Sequence, residues 1–243
     1  MKNFLEKYNF NVWLKPSFYL FLLIYGEISA TEIVILYAIE TIVVGLFHLI
    51  KLLIISVFRA DFPKEKWVGL FYSGFFIIHY GIFVFVQTTF FFQFLSMEDQ
   101  RISDSIGFQN FSTVLGFPGI QVGLALMLIS YAMRFWIIFY QSGYYKTVRV
   151  ESYIFQPYLR IFIQQFVAII PGIFIIFGNA GFIAAVLLII IRGVVDFFIE
   201  KMRADPIYFT KAFNFLFKEK IKEGLESSDR LEAEKFLKII VNE

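Results

Sequence analysis

No cysteine occurs among the 243 residues, and histidine occurs only twice. The first absence excludes disulfides, thiolate metal sites and cysteine nucleophiles. The second leaves Glu40, His48, His79 and Asp196 as the side chains able to ligate a metal within the apolar runs. Glu40, His48 and His79 make a weak set, with no H-E-x-x-H and no histidines at i and i+4, so no metal is expected. Charge is scarce as well: 17% of residues are ionised, against about 25% in a soluble domain. The net charge of +2 argues against a nucleic-acid partner. No Walker or dinucleotide glycine pattern and no G-x-S-x-G elbow is present, and Ser130 and Ser142 have no His or Asp nearby in sequence. No cofactor is therefore named by any motif.

What is present is apolar: 58% of residues are hydrophobic and 21% aromatic. They fall in blocks of about twenty, long enough to cross a ~30 Å hydrocarbon core as helix. The pattern predicts an all-α polytopic membrane bundle of six transmembrane helices, at roughly 13–26, 32–58, 67–95, 117–141, 157–177 and 180–200. Residues 1–203 form this bundle and residues 204–243 a tail. Pro16 and Pro118 suit the first turns of their helices, and Thr31 with Glu32 suits the start of the second. Pro171 and Gly172 should kink the fifth. No small-residue cleavage site follows Tyr25, so a removable signal peptide is not expected.

Loop charge sets the orientation. Lys2, Lys7 and Lys15, then Arg59, Lys64 and Lys66, then Lys146 and Arg149, then Lys201 and Arg203 all fall on one side. The opposite side carries Arg101 as its one basic residue, among Glu27, Glu32, Glu98, Asp99 and Asp104. The positive-inside rule then places both termini in the cytoplasm. Abundant Phe, Ile and Lys point to an AT-rich bacterial genome, and so to a bacterial inner membrane. In the tail, Phe209, Phe213, Leu216 and Phe217 recur at helical spacing among Lys211, Lys218, Lys220 and Lys222. That is the pattern of an amphipathic helix at the cytoplasmic interface, with anionic lipid as a partner, or of a segment docked on the inner end of the bundle. Asp229 and Glu232 suit the start of a second helix carrying Leu231, Phe236 and Ile240.

Ionisable residues inside the spans are the functional candidates, because a charge in hydrocarbon is costly. Depth follows from the orientation. Glu40 and His79 fall near mid-span. His48, Lys51, Arg134, Arg160, Gln164, Gln165, Arg192 and Asp196 fall toward the cytoplasmic half, and Gln87 toward the outer half. This convergence predicts a polar cavity between spans two to six, open to the cytoplasm. Lys51, Arg160 and Asp196 lie near helix ends, where snorkelling is the plain alternative. Arg192 and Asp196 are spaced to pair locally, and Glu40 and His79 to bond between helices. Gly119 and Gly123 form a GxxxG suited to close helix packing.

The order of these residues resembles a bacterial membrane family, domain of unknown function 6498. The resemblance rests on Tyr37-Ala38-Ile39-Glu40-Thr41 with Gly45-Leu46-Phe47, and on Phe76-Ile77-Ile78-His79-Tyr80-Gly81-Ile82-Phe83. It continues through Phe139-Tyr140-Gln141-Ser142-Gly143-Tyr144-Tyr145, Pro157-Tyr158-Leu159-Arg160, and Arg192 with Asp196. It covers about residues 15–200, and the HYG segment is its most specific part. It implies a helical membrane fold and adds Tyr80 to the site list, but supplies no activity. It also implies further histidines where this chain has Gln87, Tyr131 and Gln165, which would leave a histidine-rich metal site incomplete here.

Three functions fit these residues. One is binding or moving a proton, ion or small solute, with Glu40 and His79 titrating. Another is an enzyme acting on a lipid or isoprenoid head group, with Arg134, Arg160 and Arg192 holding a phosphate. The third is a structural or regulatory membrane component working through its basic tail. Solute or ion handling is favoured narrowly, and enzymatic activity stays open.

Overall fold

The computed structural model describes residues 13, 16–58, 63–98, 100–104, 107–158, 181–218 and 227–241. Helix α1 covers 16–24 and ends in a turn at Gly26, whose φ of 74° suits glycine. Then come α2 (Ala30–Phe58), α3 (Pro63–Glu98), a short α4 (Phe108–Leu115) and α5 (Pro118–Arg134). The last runs directly into a π-helical stretch, Phe135–Gln141. A single 3-10 turn (Tyr144–Lys146) and α6 (Val150–Tyr153) follow, then α7 (Gly181–Ala204), α8 (Pro206–Leu216) and α9 (Ser227–Val241). No strand occurs among the described residues.

Three of these helices are long and apolar enough to cross a membrane: Ala30–Phe58, Lys66–Met97 and Pro118–Gln141. They match the expected spans two to four to within two residues at each end. Among the described residues the first expected span is helical at 13 and over 16–24, and the sixth corresponds to α7. Most of the fifth span, with its Pro171–Gly172 kink, lies outside the described residues.

Helix α2 is the axis of the molecule, packing along α3 and against α5 and α7. Its start is fixed by a reciprocal capping box at Ser29, two residues earlier than Thr31. Ser29 Oγ accepts from the Glu32 amide at 3.1 Å, and Glu32 Oε2 accepts from the Ser29 amide at 2.8 Å. The other oxygen of the same carboxylate accepts from the Gly119 amide at 3.1 Å, tying the start of α5 to α2. The GxxxG works as expected. A Cβ on Gly123 would lie 2.4 Å from Leu36, and one on Gly119 would lie 2.8 Å from Glu32. Only glycine lets the two backbones approach this closely. Gly45 does the same for α3, where a Cβ would fall 2.3 Å from the ring of Tyr80.

Apolar burial divides along α2. Ile33, Leu36, Tyr37 and Val43 pack with Tyr19, Phe92, Ile120, Met127 and Leu188. Further along, Leu52 and Ile55 pack with Phe76, Tyr80, Phe139, Tyr145 and Tyr153. Outward faces stay apolar: Trp67, Phe71, Ile78 and Phe85 on α3, Ile129 and Met133 on α5, and Ile137 in the π-helical stretch are all exposed. Exposed apolar patches of that extent mark contact with lipid or protein rather than water.

The tail departs from a simple lipid-facing helix. Phe209 and Phe213 are buried and Phe217 half-buried, packed against Leu237 and Val241 of α9 and Ile199 and Met202 of α7. Arg203 fastens this unit, donating to the Val241 carbonyl at 2.9 and 3.1 Å and to Glu200 at 2.8 Å. Phe236 meets Phe155 edge-on, so α9 also touches the segment after α6. Of the two arrangements expected for the phenylalanine stripe, lipid contact or docking, its buried members Phe209 and Phe213 take the docked one, in a small core at the end of α7.

Candidate functional site

Glu40 lies mid-way along α2 and is 1% exposed, the most deeply enclosed carboxylate among the described residues. The stretch Ile35 to Val44 offers few polar side chains, so a charge there is met from neighbouring helices. From α5, the Tyr131 hydroxyl donates to Glu40 Oε1 at 2.8 Å. From α7, Arg192 brings Nη2 to 3.7 Å from that same oxygen, and the guanidinium is only 2% exposed. One turn on, Asp196 Oδ2 accepts from Arg192 Nε at 3.2 Å. Asp196 is 29% exposed, so one end of the array reaches the surface while the other is sealed. Three helices converge on one carboxylate–guanidinium–carboxylate chain.

The tyrosines around it belong to the same site. Tyr37, one turn before Glu40, faces Tyr19 of α1 with ring centroids 6.3 Å apart. Thr41 binds the other flank. Its carbonyl accepts from the Tyr80 hydroxyl, and its hydroxyl accepts from Gln87 Nε2 at 3.4 Å. Tyr80 and Gln87, two turns apart on α3, therefore fix α2 beside Glu40 through Thr41.

His79 belongs elsewhere. Its Nδ1 is 2.8 Å from the Tyr158 hydroxyl, and its ring stacks on Phe75 at 5.2 Å. It makes no bond to Glu40, so the expected interhelical pair between them is absent. The reason is rotational: Tyr80 takes the face of α3 toward α2, and its neighbour His79 is turned aside by about 100°. His48 is distinct again. It is 1% exposed, lies flat on Tyr153 at 4.9 Å and touches Phe76 at 4.9 Å. Neither ring nitrogen has a hydrogen-bond partner among the described residues.

Arg134, in the last turn of α5, is exposed, whereas Arg192 is enclosed between two carboxylates. Arg160 and Gln165 lie outside the described residues. No group of three or more His, Asp or Glu positioned for a metal occurs among the described residues.

Tyr131 is the residue that reading spans one at a time misses. Its one sequence-level signal was the family resemblance, which marks its position as one where a histidine is expected. Tyr19 and Tyr37 had no signal of their own, because a tyrosine on an apolar helix is ordinary.

No curated protein and no solved structure matches this chain. A family model does, described as a family of unknown function (DUF6498), across residues 4–223. That range takes in the Glu40, His79 and Arg192–Asp196 segments and extends through α8. The chain belongs to the DUF6498 family.

Proposed function

We propose that this chain is an integral membrane protein of six spans, with both termini cytoplasmic. In this reading the Glu40 array, approached from the cytoplasmic side, binds or moves a proton, ion or small solute. The observation that carries it is the Arg192 guanidinium, 2% exposed, held between a sealed carboxylate on α2 and a partly open one on its own helix α7. Buried charges of this kind in apolar helices mark pathways and relays.

The geometry suggests how such an array would work. Glu40 Oε1 takes a short bond from Tyr131 but a looser contact from Arg192 at 3.7 Å. A proton arriving at Glu40 removes its attraction for the guanidinium, leaving Arg192 to Asp196, which it already contacts at 3.2 Å. Loss of the proton draws Arg192 back. The cation thus has two carboxylate partners whose balance is set by occupancy of Glu40, a two-state element of the sort transport requires. Asp196, one turn nearer the end of α7 that leads to Lys201 and Arg203, supplies the open side. A head-group enzyme has less support, because Arg192 is engaged by carboxylates and Arg134 is exposed.

Two readouts test this on reconstituted protein. Native mass spectrometry in mild detergent looks for bound mass, and proteoliposomes with an enclosed pH dye report proton flux under an imposed potential. Wild type should show one or both, and Glu40→Gln should abolish what is seen. Neither signal in wild type, or identical signals in Glu40→Gln, overturns the proposal.

A further inference from the structure

The tail presents a second face that its own core leaves uncovered. On α8, Phe209 and Phe213 turn inward. Ile207, Lys211 and Phe215, at i, i+4 and i+8, form a stripe on the opposite side. All three are exposed, Ile207 by 70% and Phe215 by 78%, and Lys218 just beyond the helix is exposed as well. Burying two large apolar side chains favours an apolar phase, while two ammonium groups beside them favour anions. A water-facing surface helix has no use for the first, and a protein core has no use for the second.

The position of the stripe is constrained by the chain. Helix α8 starts one residue after α7 ends. Asp205 fills the gap as N-cap, accepting from the Ile207 and Tyr208 amides, with Pro206 in the first turn. Lys201, in the last turn of α7, lies over the Tyr208 ring at 4.6 Å. Arg203, clamped to Val241, stops the unit from swinging freely. The stripe is therefore held in a fixed direction at the end of α7, next to the basic residues Lys201 and Arg203 of its last turn.

We propose that Ile207, Lys211, Phe215 and Lys218 form an interfacial anchor on an anionic lipid surface, with the two apolar side chains inserted and the lysines at the headgroups. Phe209 and Phe213 serve as the internal clamp that orients this face. The inference rests on the membrane reading given above. It differs from a free amphipathic tail, because here the anchor is carried on a folded unit and its orientation is set by protein contacts.

The absence of native cysteine allows direct depth measurement on the full chain. Phe215→Cys and, separately, Ile78→Cys on the exposed face of α3 would carry a nitroxide after reconstitution. The vesicles would be phosphatidylcholine alone or mixed with phosphatidylglycerol. At position 215, relaxation by oxygen should exceed that by a water-soluble nickel chelate in mixed vesicles, with less immersion in pure phosphatidylcholine. Adding Lys211→Gln and Lys218→Gln should lower the ratio of immersed to lifted states by about fivefold per lysine.

Position 215 in water while position 78 is in lipid overturns this inference alone. Both positions in water overturn the membrane reading with it. Spin–spin broadening at 215 with poor access to both relaxants overturns it in favour of a second copy of the chain. Equal immersion in both vesicle types overturns the anionic assignment.

Discussion

Removing the Arg192 guanidinium should be among the most damaging single changes available, and removing its partner at the same time should undo much of the harm. With an effective dielectric of about 20, a charge pair at 3.7 Å attracts by about 4.5 kcal/mol, and one at 3.2 Å by about 5 kcal/mol. Desolvation cancels part of this when the whole array forms. It does not cancel when only the cation is lost. Arg192→Met then leaves Glu40, 1% exposed, as a carboxylate whose Arg192 contact is gone, a defect of about 3–5 kcal/mol. Domains have about 5–15 kcal/mol in total, so this is a large fraction. Glu40→Gln/Arg192→Met removes both buried charges. Asp196 is left, but at 29% exposure it can hydrate. The double variant should recover at least about 2 kcal/mol relative to the sum of the single variants. Unfolding in mixed micelles, followed by far-UV circular dichroism and the fluorescence of Trp13, Trp67 and Trp136, gives the four free energies of the cycle. Single losses below about 1 kcal/mol that simply add would refute the pairing of α2 with α7 through these residues.

Tyr131→Phe deletes a hydroxyl donor to a carboxylate and leaves the ring, so it should cost about 1.5–3 kcal/mol in the same unfolding assay. The loss should shrink when Glu40 is already Gln. Gly45→Val should be worse than its size suggests, because its Cβ would fall 2.3 Å from the Tyr80 ring and push that hydroxyl off the Thr41 carbonyl. A penalty of at least about 1–3 kcal/mol is expected from overpacking, and restoring space with Tyr80→Ala should relieve part of it.

Much of the architecture was legible because apolar length is a local property. The runs that became α2, α3 and the α5–π helix needed nothing but their own composition, and Pro118 marked one start correctly. Partner choice is not local. Glu40 was recognisable as costly, and Arg192 with Asp196 as a pair at i and i+4, but nothing in either segment says that α2 and α7 are rotated toward each other. His79 shows the same limit: its depth near Glu40 suggested a contact, and a rotation of one residue on α3 gave that place to Tyr80. The tail shows how one periodicity serves two environments. The spacing of Phe209, Phe213 and Phe217 shows that one face is covered, and whether lipid or α9 covers it depends on residues twenty and more positions away.

The π-helical stretch from Phe135 to Gln141 gives this region an asymmetric tolerance to changes in length. Its backbone accommodates more residues per turn than the α-helix it continues. Loss of one residue within it can be absorbed by relaxing to ordinary α geometry, with Tyr131 on one side and Tyr145 on the other keeping their facing. The same loss within Pro118–Arg134 has no such slack, and would rotate Tyr131 away from Glu40 by about 100°. Among related chains, single-residue gaps should therefore gather in the stretch after Arg134 and be purged before it, so that the aligned lengths of the two segments record which one holds the site.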